Sequence, residues 1–487
     1  MLFNSINFAI FLPIVFILYW FICNKSLRIQ NILLLVSSYF FYACWDWRFL
    51  FLLIFSTFLD YFTGIKMYNS TNLNYKKIWF WISVSINLGF LGIFKYYNFF
   101  AESFSTALSQ IGIQINPLTL NIVLPVGISF YTFHGLSYVI DIYKGRINAE
   151  KNFVDYAVFV SFFPLLVAGP IERATHLLPQ IQQQRNFNYN KAIDGLRQIL
   201  WGLFKKIVIA DNCAEYANLI FNNSNQFTGS TLLLGAIFFS FQIYGDFSGY
   251  SDIALGTARL FGIELLRNFA FPYFSRDIAE FWRRWHISLS TWFRDYLYIP
   301  LGGSKGGPWF KLRNTFIIFL VSGFWHGANW TFIAWGFLNA VYFLPLLFTG
   351  ENRKNLNTIA EGKIFPTLKE TANMAFTFIL TSFAWIFFRA ESITHAIHYI
   401  TQMFSFSFFT IPQWKDFKEI AMHPLQLLFL ISSFIFLEWI GREHQYAISH
   451  FLLKSKRLYR WFFYAVLMFL IGFFAQTNES PFIYFQF

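Results

Sequence analysis

Long apolar stretches alternate with short polar ones along almost the whole chain. A helix needs about 20 apolar residues to cross a bilayer. Candidate spans are 6–22, 31–45, 49–65, 78–94, 122–142, 153–169, 196–211, 230–247, 315–349, 371–388, 424–441 and 459–476. Several are short, interrupted by Gly or Pro, or mildly charged, and the pattern predicts about eleven passes. The expected fold is therefore an all-α polytopic membrane protein, with short re-entrant or interfacial helices between the spans. No stretch reads as a soluble domain, so residues 1–487 are expected to form one integral-membrane domain. No internal repeat at a fixed period is visible, which argues against a transporter built from duplicated halves.

Two segments depart from this pattern. The first, Asn314–Gly350, holds 37 residues without one Asp, Glu, Lys or Arg. As a single helix it would be about 55 Å long, against a hydrocarbon core of about 30 Å. It must break or turn, and Gly323, Gly327 and Asn329 offer the place, beside His326. Irregular backbone at membrane depth is tolerated where it lines a cavity or is packed in protein. The second, Arg267–Arg313, carries eight Lys or Arg residues and four Trp. Within it Ile278, Trp282, Trp285, Leu289 and Trp292 recur at spacings of four and three. That predicts an amphipathic helix at the membrane interface or along a polar funnel, with Arg284, Ser288, Thr291 and Asp295 on another face. Pro300 and the pairs Gly302–Gly303 and Gly306–Gly307 should end it in a loop.

Composition agrees with the patterning. The chain is 56% hydrophobic and 13% charged, where soluble domains carry about 25% charged residues. Its net charge of +12 sits mostly in short segments between apolar runs, such as Lys25/Arg28, Lys76/Lys77, Lys144/Arg146 and Lys205/Lys206. Positively charged membrane loops explain this better than nucleic-acid binding, and no nucleic-acid partner is expected. The first apolar stretch lacks a basic leader and a small-residue cleavage site, so it reads as a span rather than a cleaved signal. Lys25 and Arg28 after it place the first loop inside. Cys23, Cys44 and Cys213 are odd in number and scattered, and read as packing residues.

The candidate chemistry centres on His326 and His286. A titratable imidazole in membrane-grade sequence is costly to bury, so it tends to face a polar cavity or do chemistry. It can also take and return a proton near neutral pH. His286 has Arg283 at i−3 and Ser290 at i+4, which would share its helical surface. Other candidates are weaker. His395 and His398 form an H-x-x-H pair without a third ligand, and no metal is expected. His134 reads as a packing or gating residue. Asp246 and Asp252 are intramembrane carboxylates that could orient a histidine, bind a cation or pair with an arginine, with structural hydrogen bonding the favoured role. No P-loop, H-E-x-x-H or G-x-S-x-G is present, so an ATP-driven pump and the familiar hydrolases are unsupported.

Five motifs occur in order: LPVGISFYTFHGLSYVIDIYKG (124–145), FPLLVAGPIERATHLLPQI (163–181), YGDFSGYSDIALG (244–256), RDIAEFWRRWHISLSTWFRDYLYIPLGG (276–303) and GFWHGANWTFIAWG (323–336). With the ending PFIYFQF (481–487), they resemble the membrane-bound O-acyltransferase family, in its bacterial branch. The resemblance implies a ring of helices around a central tunnel, with His326 as the catalytic base and His286 at the second signature position. Many members carry Asn at that position. The resemblance also implies acyl transfer from a cytoplasmic thioester, with acetyl-CoA as donor substrate and no bound cofactor. The acyl group would pass across the inner membrane to an extracytoplasmic, alginate-like polysaccharide, helped by an extracytoplasmic acetyltransferase or SGNH-type partner. Arg283, Arg284 and Lys305 could attract the donor phosphates, with membrane anchoring as the plainer reading. Asn329 could stabilise the oxyanion. D-alanyl transfer to teichoic acid and a non-enzymatic acyl or glycan transporter are the alternatives.

Overall fold

The computed structural model describes all residues except 168, 413–416, 419, 421, 476–481 and 484–487. The described residues form helices and connecting segments, with no strand among them. Seven helices are long and apolar enough to cross a membrane, and Ile6–Ile22 and Phe153–Leu166 add two shorter apolar stretches. The chain divides into two compact units, Met1–Ile193 with Thr257–Leu266, and Asp194–Gly256 with Arg267–Phe487.

The first unit holds α1 (Ile6–Ile17), α2 (Leu27–Asn69), α3 (Leu73–Leu91), α4 (Tyr97–Gln110), α5 (Ile128–Tyr143), α6 (Phe153–Ser161), α7 (Phe163–Leu166) and α8 (Ala174–Ile181). The predicted spans 31–45 and 49–65 are joined in α2. The joint is Asp46, whose backbone is extended (φ −156°, ψ 111°). Straight, 43 residues would reach about 65 Å, so the kink lets one continuous run serve as two segments. Asp60 is fully buried in this unit and accepts from Ser83 Oγ (2.6 Å) and Asn87 Nδ2 (2.8 Å), which ties α2 to α3. His134 is buried too, and its Nε2 accepts from the Glu172 N–H at 3.1 Å. That is a packing role.

The second unit takes the end of α9 (Tyr189–Leu203), α10 (Asp211–Asn222) and α11 (Gly229–Leu260) as far as Gly256. It continues through α12 (Ile278–Arg284), α13 (Ile287–Phe293), α14 (Pro308–His326), α15 (Trp330–Thr349), α16 (Leu368–Arg389), α17 (Ile393–Met403), α18 (Pro424–Gly441) and α19 (Arg457–Phe474). Lys205 and Lys206, expected in a loop, instead sit in a π-helical turn at Phe204–Ala210 and are buried. Lys205 pairs with Asp252 at 2.5 Å, and Lys206 with Asp211 and Asp246, each at 2.8 Å. Burial of a lysine in such an environment requires a paired carboxylate. Asp211 lies five residues beyond Lys206, whereas Asp246 and Asp252 come from α11, out of reach of any local sequence pattern. Of the PFIYFQF ending, only Phe482 and Ile483 lie among the described residues.

The 37-residue uncharged run breaks where its length required. α14 ends at His326, Gly327 is extended, and Asn329 caps α15. The two helices pack as a tight hairpin. A Cβ at Gly323 would overlap the Phe332 carbonyl, and one at Gly336 would overlap the Phe319 carbonyl. Small residues let the backbones approach this closely, as in membrane helix pairs generally.

Candidate active site

The predicted amphipathic helix over 278–292 is two short helices, α12 and α13, hinged at His286. Trp285 is extended and His286 is left-handed (φ 42°, ψ 55°). His286 therefore does not share a helical surface with Arg283 and Ser290 as its spacing suggested. The segment packs into the protein, with Trp285 and Leu289 1% and 3% exposed. Tertiary hydrogen bonds impose the break. The Ile287 N–H donates to the Asn268 carbonyl at 2.9 Å, and Asn268 Oδ1 lies 3.0 Å from His286 Nδ1. Ser288 adds its N–H (3.3 Å) and Oγ (2.9 Å) to that same oxygen. Neither Gly nor Pro marks the hinge, so periodicity alone reads through it.

The hinge carries His286 to His326. Their ring centroids are 6.5 Å apart, and both are buried. Phe247 stands edge-on to His286 at 4.7 Å. Trp335 and Phe388 stand edge-on to His326 at 5.1 and 5.6 Å. Aromatic walls on both rings leave few rotamers and little water near them.

Both histidines line one cavity of about 230 Å³, largely apolar, with Trp282, Leu289, Phe293, Ile318, Phe319 and Phe343 among its walls. Its polar lining includes Ser290, Tyr298, Ser304, Ser322, Arg294 and Arg353. Such a space suits a ligand with a short apolar arm and an anionic end. Arg294 and Arg353 were not singled out in the sequence. Arg294 is about half exposed and pairs with its neighbour Asp295 at 2.7 Å.

The other sequence candidates fall elsewhere. Arg283 donates to the carbonyls of Asn352 and Asn355, both at 2.7 Å. Arg284 pairs with buried Glu280 at 2.8 Å and donates to the Ala270 carbonyl at 3.1 Å. Glu280 also takes Arg276 at 3.0 Å. The two arginines staple α12 to the surrounding backbone, and neither lines the cavity. The spacing Arg276, Glu280, Arg284 could have revealed the ladder, since charges four apart on a helix pair with one another. Lys305 stays in the glycine-rich loop, where its neighbour Ser304 is the residue that lines the cavity. Asn329 does not line the cavity. Its Oδ1 caps the Thr331 N–H at 3.0 Å and its Nδ2 donates to the Glu391 carbonyl at 2.9 Å. Among the described residues no group of three His, Cys, Asp or Glu could hold a metal, and the H-x-x-H pair lies on α17.

The model of the membrane-bound O-acyltransferase family matches residues 146–362, which include both histidines. The chain is 38% identical over 449 residues to a "Probable alginate O-acetylase AlgI" of Pseudomonas putida, covering 92% of this chain and 88% of that one. It is 35% identical to the peptidoglycan O-acetyltransferase of Helicobacter pylori, over 83% of this chain and 80% of the other. A teichoic acid D-alanyltransferase of Streptococcus thermophilus is 31% identical over 50% of this chain and 62% of its own length.

Proposed function

This chain belongs to the membrane-bound O-acyltransferase family and is a membrane O-acyltransferase, and on that premise we propose that it transfers acetyl from acetyl-CoA toward an extracytoplasmic polysaccharide. The observation that carries the reading is the meeting of His286 and His326 on one apolar cavity that also holds Arg294 and Arg353. Acetyl is favoured over D-alanyl because the two acetylating relatives match most of the chain and the D-alanyl relative half of it.

In this reading the thioester end of the donor lies along the apolar wall, and its phosphates meet Arg294 and Arg353. His326 takes the proton of an incoming hydroxyl as its oxygen attacks the thioester carbonyl. A C–O bond forms, the C–S bond breaks, and the histidine returns the proton to the departing thiolate. The products are an O-acetyl ester and the free thiol. The donor enters from the cytoplasmic side of a bacterial inner membrane. An alginate-like glycan, or an SGNH-type acetyltransferase that passes the group on, receives it at the other side.

Full-length protein in detergent, given acetyl-labelled CoA and an alginate oligosaccharide, should move label to the sugar and release thiol. His326→Ala should release none above background while accumulating normally, and parental release from that variant would overturn the assignment. The donor route has its own test. With Cys23, Cys44 and Cys213 replaced, Ser304→Cys should react with an impermeant thiol reagent only in opened cells. Labelling in intact cells would put the cavity mouth on the wrong side for a cytoplasmic donor.

A further inference from the structure

The hydrogen-bond pattern around Asn268 determines more than the position of His286. Asn268 is 1% exposed, in the aromatic stretch that precedes α12. The two ends of an amide side chain are interchangeable unless a neighbour can play only one role. The Ser288 backbone N–H can only donate, and it faces the Asn268 side chain at 3.3 Å. The amide atom on that side is therefore the oxygen. His286 Nδ1 lies 3.0 Å from the same oxygen, so it must carry the hydrogen.

The other end of the amide fits this orientation. Asn268 Nδ2 is buried and has no hydrogen-bond partner among the described residues, and Asn268 lines a small chamber of about 10 Å³. Trp201 and Ser251 line the same chamber, and their Nε1 and Oγ are likewise buried without a hydrogen-bond partner among the described residues. Lys205, Asp252, Arg267 and Glu438 supply its charges. A space of this size and polarity has room for about one water. The amide nitrogen thus points at a polar chamber, and the amide oxygen at the histidine.

We propose that Asn268 is a positioning residue for His286, holding the imidazole in the Nδ1–H form so that Nε2 is the nitrogen able to accept a proton. This rests on reading the two-histidine cavity as the acyl-transfer site. It explains a costly feature of the backbone. A left-handed, non-glycine residue such as His286 is strained and persists only where its surroundings over-determine it. Here the Asn268 carbonyl holds Ile287, and its amide oxygen holds Ser288 and His286. A neutral histidine that keeps its hydrogen on Nδ1 is an acceptor at Nε2 alone.

The experiment compares Asn268→Ala, Asn268→Asp and His286→Ala in the full-length protein. Thiol release from acetyl-CoA with an alginate oligosaccharide is followed against pH. In parallel, ¹⁵N spectra of the histidine side chains are recorded, with the His286 signals assigned by their loss in His286→Ala. The parent should show His286 protonated at Nδ1. Asn268→Ala should mix the two tautomers and lower kcat about 10- to 100-fold, the scale on which partners that orient a histidine act, with the KM for acetyl-CoA unchanged. Asn268→Asp keeps the acceptor, so it should restore the Nδ1–H form and most of kcat. Its added charge, weighed against His326, Arg294 and Arg353 in the cavity and the four charges of the chamber, should move the acidic limb of the profile upward.

A parental spectrum with the hydrogen on Nε2 overturns the inference even if His286→Ala is inactive. Parental activity in His286→Ala overturns instead the reading of the site. If Asn268→Ala does not accumulate, Asn268→Asp decides. A parental pH profile there, or failure to accumulate, makes Asn268 a folding residue only.

Discussion

His326 and His286 lie ring to ring, yet the chain delivers them in opposite ways. His326 ends a 19-residue apolar helix, and the helical hairpin that carries it is held by backbone-to-backbone packing at Gly323 and Gly336. His286 sits between two seven-residue helices in a strained conformation, held by hydrogen bonds from a residue 18 positions away. One histidine is placed by local geometry and length, the other by tertiary polar contacts. A site built this way couples the hairpin to the α12–α13 segment, and each side can be broken separately.

The largest effect tests whether the two act as one unit. His326→Ala and His286→Ala should each lower acetyl transfer by about 10²- to 10⁴-fold, the range for loss of a proton-transfer group. The double variant should be little worse than the poorer single, because groups that act together are far from additive. Independent, multiplying losses would mean that the cavity brings together two residues with unrelated tasks.

The placement of His326 was legible because a physical limit exposed it. A 37-residue uncharged run cannot cross a membrane as one helix, and the cluster of Gly323, Gly327 and Asn329 lay beside the histidine. His286 was legible as a residue and not as a geometry. Its apolar spacing is helical on both sides of the hinge, and the bonds that break the helix start at Asn268, outside the periodic window. The same distance effect hid Asp252 and Asp246 as partners of Lys205 and Lys206. Arg283 and Arg284 looked like donor ligands because sequence shows charge and not what already occupies it. Glu280 and the carbonyls of 352–357 consume both. The overall helical, membrane-spanning class needed no such information, since hydrophobic run length carries it directly.

A second test attacks the hairpin alone. Gly323→Val places a branched side chain against the Phe332 carbonyl, where backbone cannot yield as a flexible side chain can. The cost should be about 3 kcal/mol, the upper end of overpacking. It should appear as a lower melting temperature in detergent and as lost activity. An unchanged melting temperature would show that α14 and α15 need not approach so closely.

A third test separates the cavity mouth from the histidines. Arg294→Ala and Arg353→Ala should each raise the KM for acetyl-CoA about tenfold, the equivalent of one charge-assisted contact, and leave kcat nearly unaltered. Arg283→Ala, whose guanidinium holds the 352–355 backbone, should instead lower the melting temperature. A KM effect from Arg283 and none from Arg294 would reverse the assignment of the donor end.

The smallest effect is the most direct reading of the contrast in backbone. With the imidazoles removed, His286→Ala and His286→Gly differ mainly in tolerance of a left-handed residue, as do the same changes at His326 for a helical one. At 286 the φ of 42° penalises alanine, so glycine should be the more stable by about 1 kcal/mol. At 326, inside the last turn of α14, glycine should be the less stable by up to about 1 kcal/mol. Both comparisons use inactive variants, so catalysis does not enter, and melting temperatures in one detergent suffice. Opposite signs at two positions whose rings sit 6.5 Å apart would establish that the hinge at His286 is a strained turn held by its neighbours. The same sign at both would mean that the segment over 278–293 runs through residue 286 as a helix, the form its periodicity suggests.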